Sequence, residues 1–451
     1  MATPDTLSEF SGEPKLSAEQ IAAAPLFGRG KPAEHPFAAL YQGEYETIWD
    51  GTAIAVRKHA RALSAAGVPT VLRSFSNVVV NADGMPEPVH VVGIPLEVKA
   101  EVGAIHNTEA TVMTPLIKHL VVRSAEHLRS VIYPRGIEHA NINALQALRK
   151  AVADATILYT VWERDRVDPA IVKLLNRVAQ IWVPCEQNSA MLTRSGVDLG
   201  RVMVVPHPYD DSDPLLKLRR RQPYPERRFY SIGRWEPRKG YHELLGAFLR
   251  TFRPGEAAYL TIKYGGGQWQ GYPTPVESAR HWGADPAALA NGWTAESFRE
   301  HVKLIGGRLS DSQILKLHFD HNIYVSASHG EAYCLPAFAA VLAGNQLVHC
   351  GYGGTADFAP PGSREIPFRL EAAVPESYKW EPGAQWAVYD ENDLALALGS
   401  ADAVSSYSLP DGFRERFGSE AVGKLMRDLA ISVVEKTTPA AAEYYRCRTS
   451  R

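Results

Sequence analysis

The sequence predicts an α/β protein built as two doubly wound domains in tandem, facing each other across a central cleft. Two observations carry that expectation. Apolar runs of strand length alternate with amphipathic stretches of helix length along most of the chain, and near-continuous apolar strands separated by helices belong to parallel sheets covered on both faces. The alternation breaks at "PYDDSDPLLKLRRRQPYPER", residues 208–227, which holds four prolines, three consecutive arginines and no strand pattern. At 451 residues the chain is also too long for one ordinary core.

Taken in order, residues 1–35 are rich in Pro, Ser, Gly, Ala and charge and read as an extension, with a short helix near "SAEQIAAA". Residues 36–215 form the first domain, whose candidate strands are "VPTVLRSF", "HVVGIPL", "SVIYP", "ATILYTVW", "QIWVPC" and "VMVVPH". Residues 216–425 form the second, with strands expected at "RFYSIG", "AYLTIKYG", "HVKLIGG", "NIYVSAS", "QLVHCG" and "WAVYD". Residues 426–451 belong to a helical segment able to pack back on the first domain.

Composition narrows the function classes. With 45% hydrophobic residues, 22% charged and a net charge of -2, the chain lacks the basic bias of a protein that grips nucleic acid through phosphates. Cys185, Cys334, Cys350 and Cys447 are scattered without metal-ligand or disulfide spacing, which suits a reducing compartment. The N-terminus is polar and acidic, and no apolar run reaches transmembrane length, so a cytoplasmic protein without a membrane span is expected.

In open parallel sheets, ligands sit beyond the carboxyl ends of the strands, so the loops there are where chemistry is sought. In "RFYSIGRWEPRKGYHELLGAF" a strand ends at Gly233 and Arg234, a short turn leads to Lys239, and a helix follows. Two cations near a helix N-terminus suit an anion such as a diphosphate, although an isolated pair of this kind is more often solvated. In "SASHGEAYCLPAFAAVLAG" Glu331 sits between a strand and a helix opened by Pro336, whose free amides face the same space. Acid beside amide donors suits a polyhydroxylated ligand, and equally a plain helix-terminal acid.

Together, in this order, the two loops resemble the donor-binding domain of the group 1, or family 4, glycosyltransferases, which have the GT-B fold of two Rossmann-like domains. The match runs through Gly233, Arg234, Lys239, Gly240, Leu244, Leu245, Ala247, Phe248, Ser328, Glu331, Leu335, Pro336 and Gly344. The segment 156–210 is similar to a first-domain segment of many bacterial members. The resemblance implies a retaining, hexosyltransferase-like enzyme that needs no metal and no cofactor beyond its nucleotide-sugar co-substrate, a UDP- or GDP-sugar. Arg234 and Lys239 would neutralise the departing diphosphate, and Glu331 would contact the transferred sugar. Further donor-side residues are Gly51, Thr52, Gly233, Lys263, Tyr333, Cys334, Leu335 and Ala339, while Trp162 and Glu163 are candidates for the acceptor side.

The chain departs from the family at three places. A second Glu, expected eight residues after the first for the nucleotide ribose, is Ala339. The family's Gly-Phe-Gly is Ala332, Tyr333 and Cys334, placing side chains where backbone approaches the sugar phosphate. The N-domain histidine of many members is replaced by "TVWERDR". Ala339 supports an alternative reading, a GT-B protein that binds nucleotide sugar without catalysis. A further alternative is transfer to a modified nucleic-acid base, for which "RKHARAL" and "KLRRRQ" supply local charge. The expected acceptors are a glycan, a lipid-linked sugar or a small molecule. "DDSD" at 210–213 resembles a metal-binding Asp-x-Asp but falls in the interdomain linker.

Overall fold

The structure, a computed structural model, describes residues 37–43, 51–73, 79–80, 86–87, 112–122, 124–132, 150, 153–218, 224–266, 271–373, 383–403 and 408–448. Its strands are β1 (Phe37–Gly43), β2 (Thr70–Arg73), β3 (Val79–Val80), β4 (Pro86–Glu87), β5 (Val112–Leu120), β6 (Thr156–Thr160), β7 (Gln180–Val183) and β8 (Val202–Val204), followed by a second set. That set is β9 (Arg227–Arg234), β10 (Ala258–Gly265), β11 (Val302–Ile305), β12 (Ile323–Ser326), β13 (Gln346–Cys350), β14 (Arg364–Ile366), β15 (Arg369–Ala372) and β16 (Gln385–Val388). Two six-stranded sheets result, ordered β2-β1-β5-β6-β7-β8 and β11-β10-β9-β12-β13-β14, and every pairing within them is parallel. The expected fold class is therefore present. Strands such as "IYVS" and "QIWV" are buried throughout because helices cover both faces of each sheet.

Strand order fixes where ligands go. In the second sheet, the order in which strands are added reverses between β9 and β12, and in the first between β1 and β5. At such switch points the loops leave in opposite directions and open a crevice at the carboxyl ends. The loop after β9 carries Arg234 and Lys239, and the loop after β12 carries Glu331.

The chain ends on the first domain. The helix Ser419–Thr437 places Val422, Met426, Ala430 and Val434 in one apolar cluster with Val56, Ala60, Leu63 and Tyr159. Gly423 lets this helix touch the helix Gly51–Ala65, since a Cβ there would lie 2.2 Å from the Ala62 carbonyl oxygen. Tyr445 donates to the Thr114 carbonyl at 2.6 Å, tying down the last helix, Pro439–Cys447.

Several expectations change. "SVIYP" is not a strand at its start: residues 130–132 end the helix Ala125–Ile132, whose Leu128 and Ile132 are buried at helical spacing. "WAVYD" does form β16, but it pairs antiparallel with β15 and stays outside the parallel sheet. The edge strand there is the three-residue β14. β1 and β5 were not anticipated; in β5, Pro115, Lys118 and His119 interrupt the apolar pattern. The extension 1–35 and "HVVGIPL" lie outside the described residues. Among the described residues no helix is long and apolar enough to cross a membrane.

Buried neutral histidines couple this fold to pH. Burial lowers His59, His321 and His329 to about 4. His321 nonetheless stays hydrogen-bonded, to the Leu317 carbonyl and to the Thr261 hydroxyl. An unfolded histidine titrates near 6.5, so between pH 6.5 and 4 the unfolded chain binds protons that the folded chain refuses. Stability is present above that window and is lost as pH falls through it. By pH 5 each such histidine is expected to cost roughly 2 kcal/mol. Melting temperature is expected to drop steadily from pH 7 to pH 5, with a shallower slope in His321→Gln. A flat profile would show that these imidazoles titrate in the folded protein as they do in the unfolded chain.

Candidate active site

The segment after β9 is a 3-10 turn, Pro237–Lys239, entered through extended Glu236 and closed by Gly240. Proline suits the first position of such a turn, and Gly240 adopts a left-handed φ of 62°. A Cβ at Gly240 would also lie 2.3 Å from the Ala327 carbonyl oxygen and 2.4 Å from the Tyr389 hydroxyl. Only glycine therefore lets the β9 and β12 loops touch here. Gly233 does the same for Lys239, whose Cε would lie 3.3 Å from a Cβ at that position.

Between these loops sits a buried charge cluster. Lys239 is ion-paired to Glu331 Oε1. The Arg238 guanidinium reaches Glu331 Oε2 at 3.2 Å and Glu236 at 2.7 Å. From the first domain, Glu163 comes to 3.1 Å of the same guanidinium. Glu331, Arg238 and Lys239 have side chains only 6%, 7% and 12% exposed, whereas Glu163 is 38% exposed. The loop is fastened to Arg238 through its backbone as well: His329 N–H and Ser328 Oγ donate to the Arg238 carbonyl at 2.7 and 2.9 Å. Arg238 Nη1 donates in return to the Gly330 carbonyl at 2.6 Å.

The two outer acids are pushed in opposite directions. Burial raises Glu331, but Lys239 and Arg238 more than offset it and hold the carboxyl below its ordinary value. Crowding by protein raises Glu163, Arg238 counters it in part, and neighbouring Glu331 and Glu236 reinforce the rise. One site thus combines a firmly ionised carboxylate with a carboxyl whose proton is held closer to neutrality, the pattern of an acid and base pair with separate roles.

Two helix N-termini approach from opposite domains. The helix Gly51–Ala65 begins where a Cβ on Gly51 would lie 3.5 Å from Leu335, the first residue of the helix Leu335–Leu342. Free amides with positive dipole ends converge there, beside Thr52, and suit an anion. Arg234 ends β9 with an exposed side chain running alongside Gly266. Lys263 lies near the end of β10, where burial lowers it below its ordinary value. Ala339 is half-buried one turn into the helix Leu335–Leu342.

The domains meet closely around this point. Gly330 packs on the first domain so tightly that a Cβ would lie 2.5 Å from the Glu163 carbonyl oxygen. Cys185 Sγ donates to the Ala332 carbonyl at 3.1 Å, and Gln385 N–H to Asp165 at 2.6 Å.

Three expected site residues are placed differently. Trp162 is buried in the first-domain core; its indole N–H donates to the Arg166 carbonyl and its backbone N–H to Asn188, so the ring is not offered to the cleft. Tyr333 is buried against His207, Phe338 and Phe358. Cys334 holds a left-handed φ of 66°, a conformation that glycine favours, with its side chain turned inward near Ser326. The Tyr333 and Cys334 side chains therefore leave the backbone face of the loop open. "DDSD" is local structure: Asp210 and Asp213 accept from the amides of Ser212 and Leu215, and Asp213 faces Lys58 at 3.4 Å.

The sequence reading passed over Arg238 and Glu236. The signal was present in "WEPRKG", where an acid and a base flank proline in a turn too short for both to reach solvent.

Removing single carboxylates should separate structural from open members of the cluster. Glu236→Gln strips the most buried partner from Arg238 and is expected to cost about 1–3 kcal/mol. Glu163→Gln removes the third negative charge from an open position and is expected to stay within about 1 kcal/mol. Urea unfolding at pH 7 reads both; equal costs would make Glu163 as integral to the fold as Glu236.

No family model matches the sequence, and no curated protein matches it significantly. Solved structures do. The lipopolysaccharide outer core galactosyltransferase WaaB, in its apo form, is 13% identical, with a TM-score of 0.52, covering 88% of this chain and 99% of WaaB. Anabaena HepE in complex with UDP-glucose is 13% identical, with a TM-score of 0.47, covering 87% of this chain and 99% of HepE. S. aureus TarM is 12% identical, with a TM-score of 0.40, covering 73% of this chain. The chain spans 54% of TarM's length. The WaaB likeness bears on the fold, which is that of the GT-B glycosyltransferases.

Proposed function

We propose that this chain is a retaining glycosyltransferase that moves a sugar from a UDP- or GDP-sugar to a hydroxyl acceptor without a metal. The observation that carries the reading is the contact between Lys239 and Glu331 on the loops after β9 and β12, at the switch point of the second sheet. The WaaB fold supports the reading at the level of architecture alone.

The diphosphate lies over the two helix N-termini, with Lys239 and Arg234 as its cations. Glu331 binds the hydroxyls of the transferred sugar. As the bond from the sugar's anomeric carbon to the diphosphate oxygen breaks, its electron pair stays on that oxygen. Fixed cations act most strongly there, where charge develops in the transition state. The acceptor oxygen bonds to the anomeric carbon on the face the diphosphate leaves, which retains configuration. The acceptor's proton passes to the departing phosphate oxygen or to Glu163, whose raised pKa suits proton capture near neutrality. The acceptor itself is read as a glycan, a lipid-linked sugar or a small molecule.

A second reading, binding without catalysis, is favoured by Ala339, which leaves the ribose without a carboxylate. One lost charged hydrogen bond costs about 1.5–3 kcal/mol of affinity and leaves the leaving-group cations in place, so the catalytic reading stands first.

A thermal-shift panel of UDP- and GDP-sugars is expected to identify the donor, since a ligand bound only by the folded state raises the melting temperature. With that donor, Lys239→Ala and Glu331→Ala are expected to lower kcat by about 10²–10³-fold and to keep their fold. Turnover should survive EDTA. Near wild-type rates in these variants, or activity restored only by manganese, would overturn the mechanism; nucleotide binding with no turnover of any sugar would establish the second reading. Ala339→Glu is expected to tighten UDP or GDP binding by about tenfold, corresponding to about 1.4 kcal/mol.

A further inference from the structure

A diphosphate would compete with Glu331 for the Lys239 ammonium. That ammonium now rests on Glu331 Oε1, and a donor that draws it onto phosphate removes one of the two cations beside a carboxylate that is 6% exposed. Burial alone raises that carboxyl, so without another cation it would take up a proton just when it is needed as an acceptor for sugar hydroxyls. The guanidinium of Arg238 is what remains. It is fixed from every side: Nη1 on Glu331 and the Gly330 carbonyl, Nη2 on Glu236 and on Glu163 of the opposite domain.

We propose that Arg238 is a positioning residue that keeps Glu331 ionised and in place while Lys239 moves to the diphosphate, and that sets Glu163 against the same site. Building on the transferase reading, the inference adds a residue that touches neither donor nor acceptor. The planar fork is essential to the role. One guanidinium presents two nitrogens with separate partners, so it can hold the donor-side acid on one nitrogen and the acceptor-side acid on the other. A lysine would bring the same charge to a single point and could not hold both acids in register. The arrangement also makes Glu163 dependent on domain closure, because its contact with Arg238 crosses the cleft where Gly330 meets the Glu163 carbonyl.

The test uses the full chain and the donor found in the panel, comparing wild type with Arg238→Lys and with Glu236→Gln, which keeps the arginine but removes its buried anchor. In Arg238→Lys, donor affinity measured by calorimetry is expected to stay within about threefold of wild type, because the diphosphate cations are untouched, while kcat falls about 10–100-fold. The acid limb of the kcat profile, which reports the donor-bound enzyme, is expected to move up by about one pH unit, because Glu331 has lost a well-placed cation. Glu236→Gln should show a smaller fall in kcat without the upward shift of the acid limb, because it keeps the arginine and removes a like charge. Adding Glu163→Gln to Arg238→Lys should cost less than it does in wild type, because the two act through one contact. An unshifted acid limb in Arg238→Lys, or activity that falls only with the folded fraction, would overturn the inference while leaving the transferase reading intact. A wild-type chain that binds no UDP- or GDP-sugar would overturn both.

Discussion

The structure turns on one guanidinium buried where two sheets meet. Three carboxylates and two cations share the space between the loops after β9 and β12 and the first domain. Removing such charges from water is expensive, and their attraction compensates only when geometry is good and the remaining hydrogen-bonding groups are satisfied. Arg238 meets the first through both of its terminal nitrogens. Its side chain serves three acids and a carbonyl, while its own carbonyl receives Ser328 and His329. The turn, the acidic loop and the domain contact are held through that one residue.

The acidic loop is also braced from behind. His329 accepts a place between Trp386 and Tyr389, stacked on both, and its Nδ1 lies 2.7 Å from the Ala387 carbonyl. The antiparallel pair β15 and β16 thereby supports the loop two residues before Glu331, and its neighbour Gln385 reaches Asp165 in the first domain. A hairpin that looks like an addition to the parallel sheet thus connects the two walls of the site.

The loop after β12 carries a side chain on a left-handed residue. Cys334 takes a backbone conformation that costs a side-chain-bearing residue about 1–2 kcal/mol, and the loop's helix still starts at Leu335. Burial pushes the Cys334 thiol up to about 11, so it stays protonated as a packing group. Ala339 places only a methyl group at a half-buried position of the helix Leu335–Leu342.

What the sequence determined was the fold class, most strand positions and the two loops that carry Arg234, Lys239 and Glu331, because apolar periodicity and glycine and proline punctuation are local properties. β5 was hidden because Pro115, Lys118 and His119 mask an otherwise buried run. Only the tertiary structure decided which charges share a site. Trp162 and Glu163 are adjacent in the chain, yet one faces the core and the other the cleft. Arg238 and Lys239 are adjacent too, and the turn at Pro237 sends one inward as an anchor and leaves the other on Glu331. Burial and pairing between residues 75 or 92 positions apart depend on how two sheets close on each other, which no window of sequence contains.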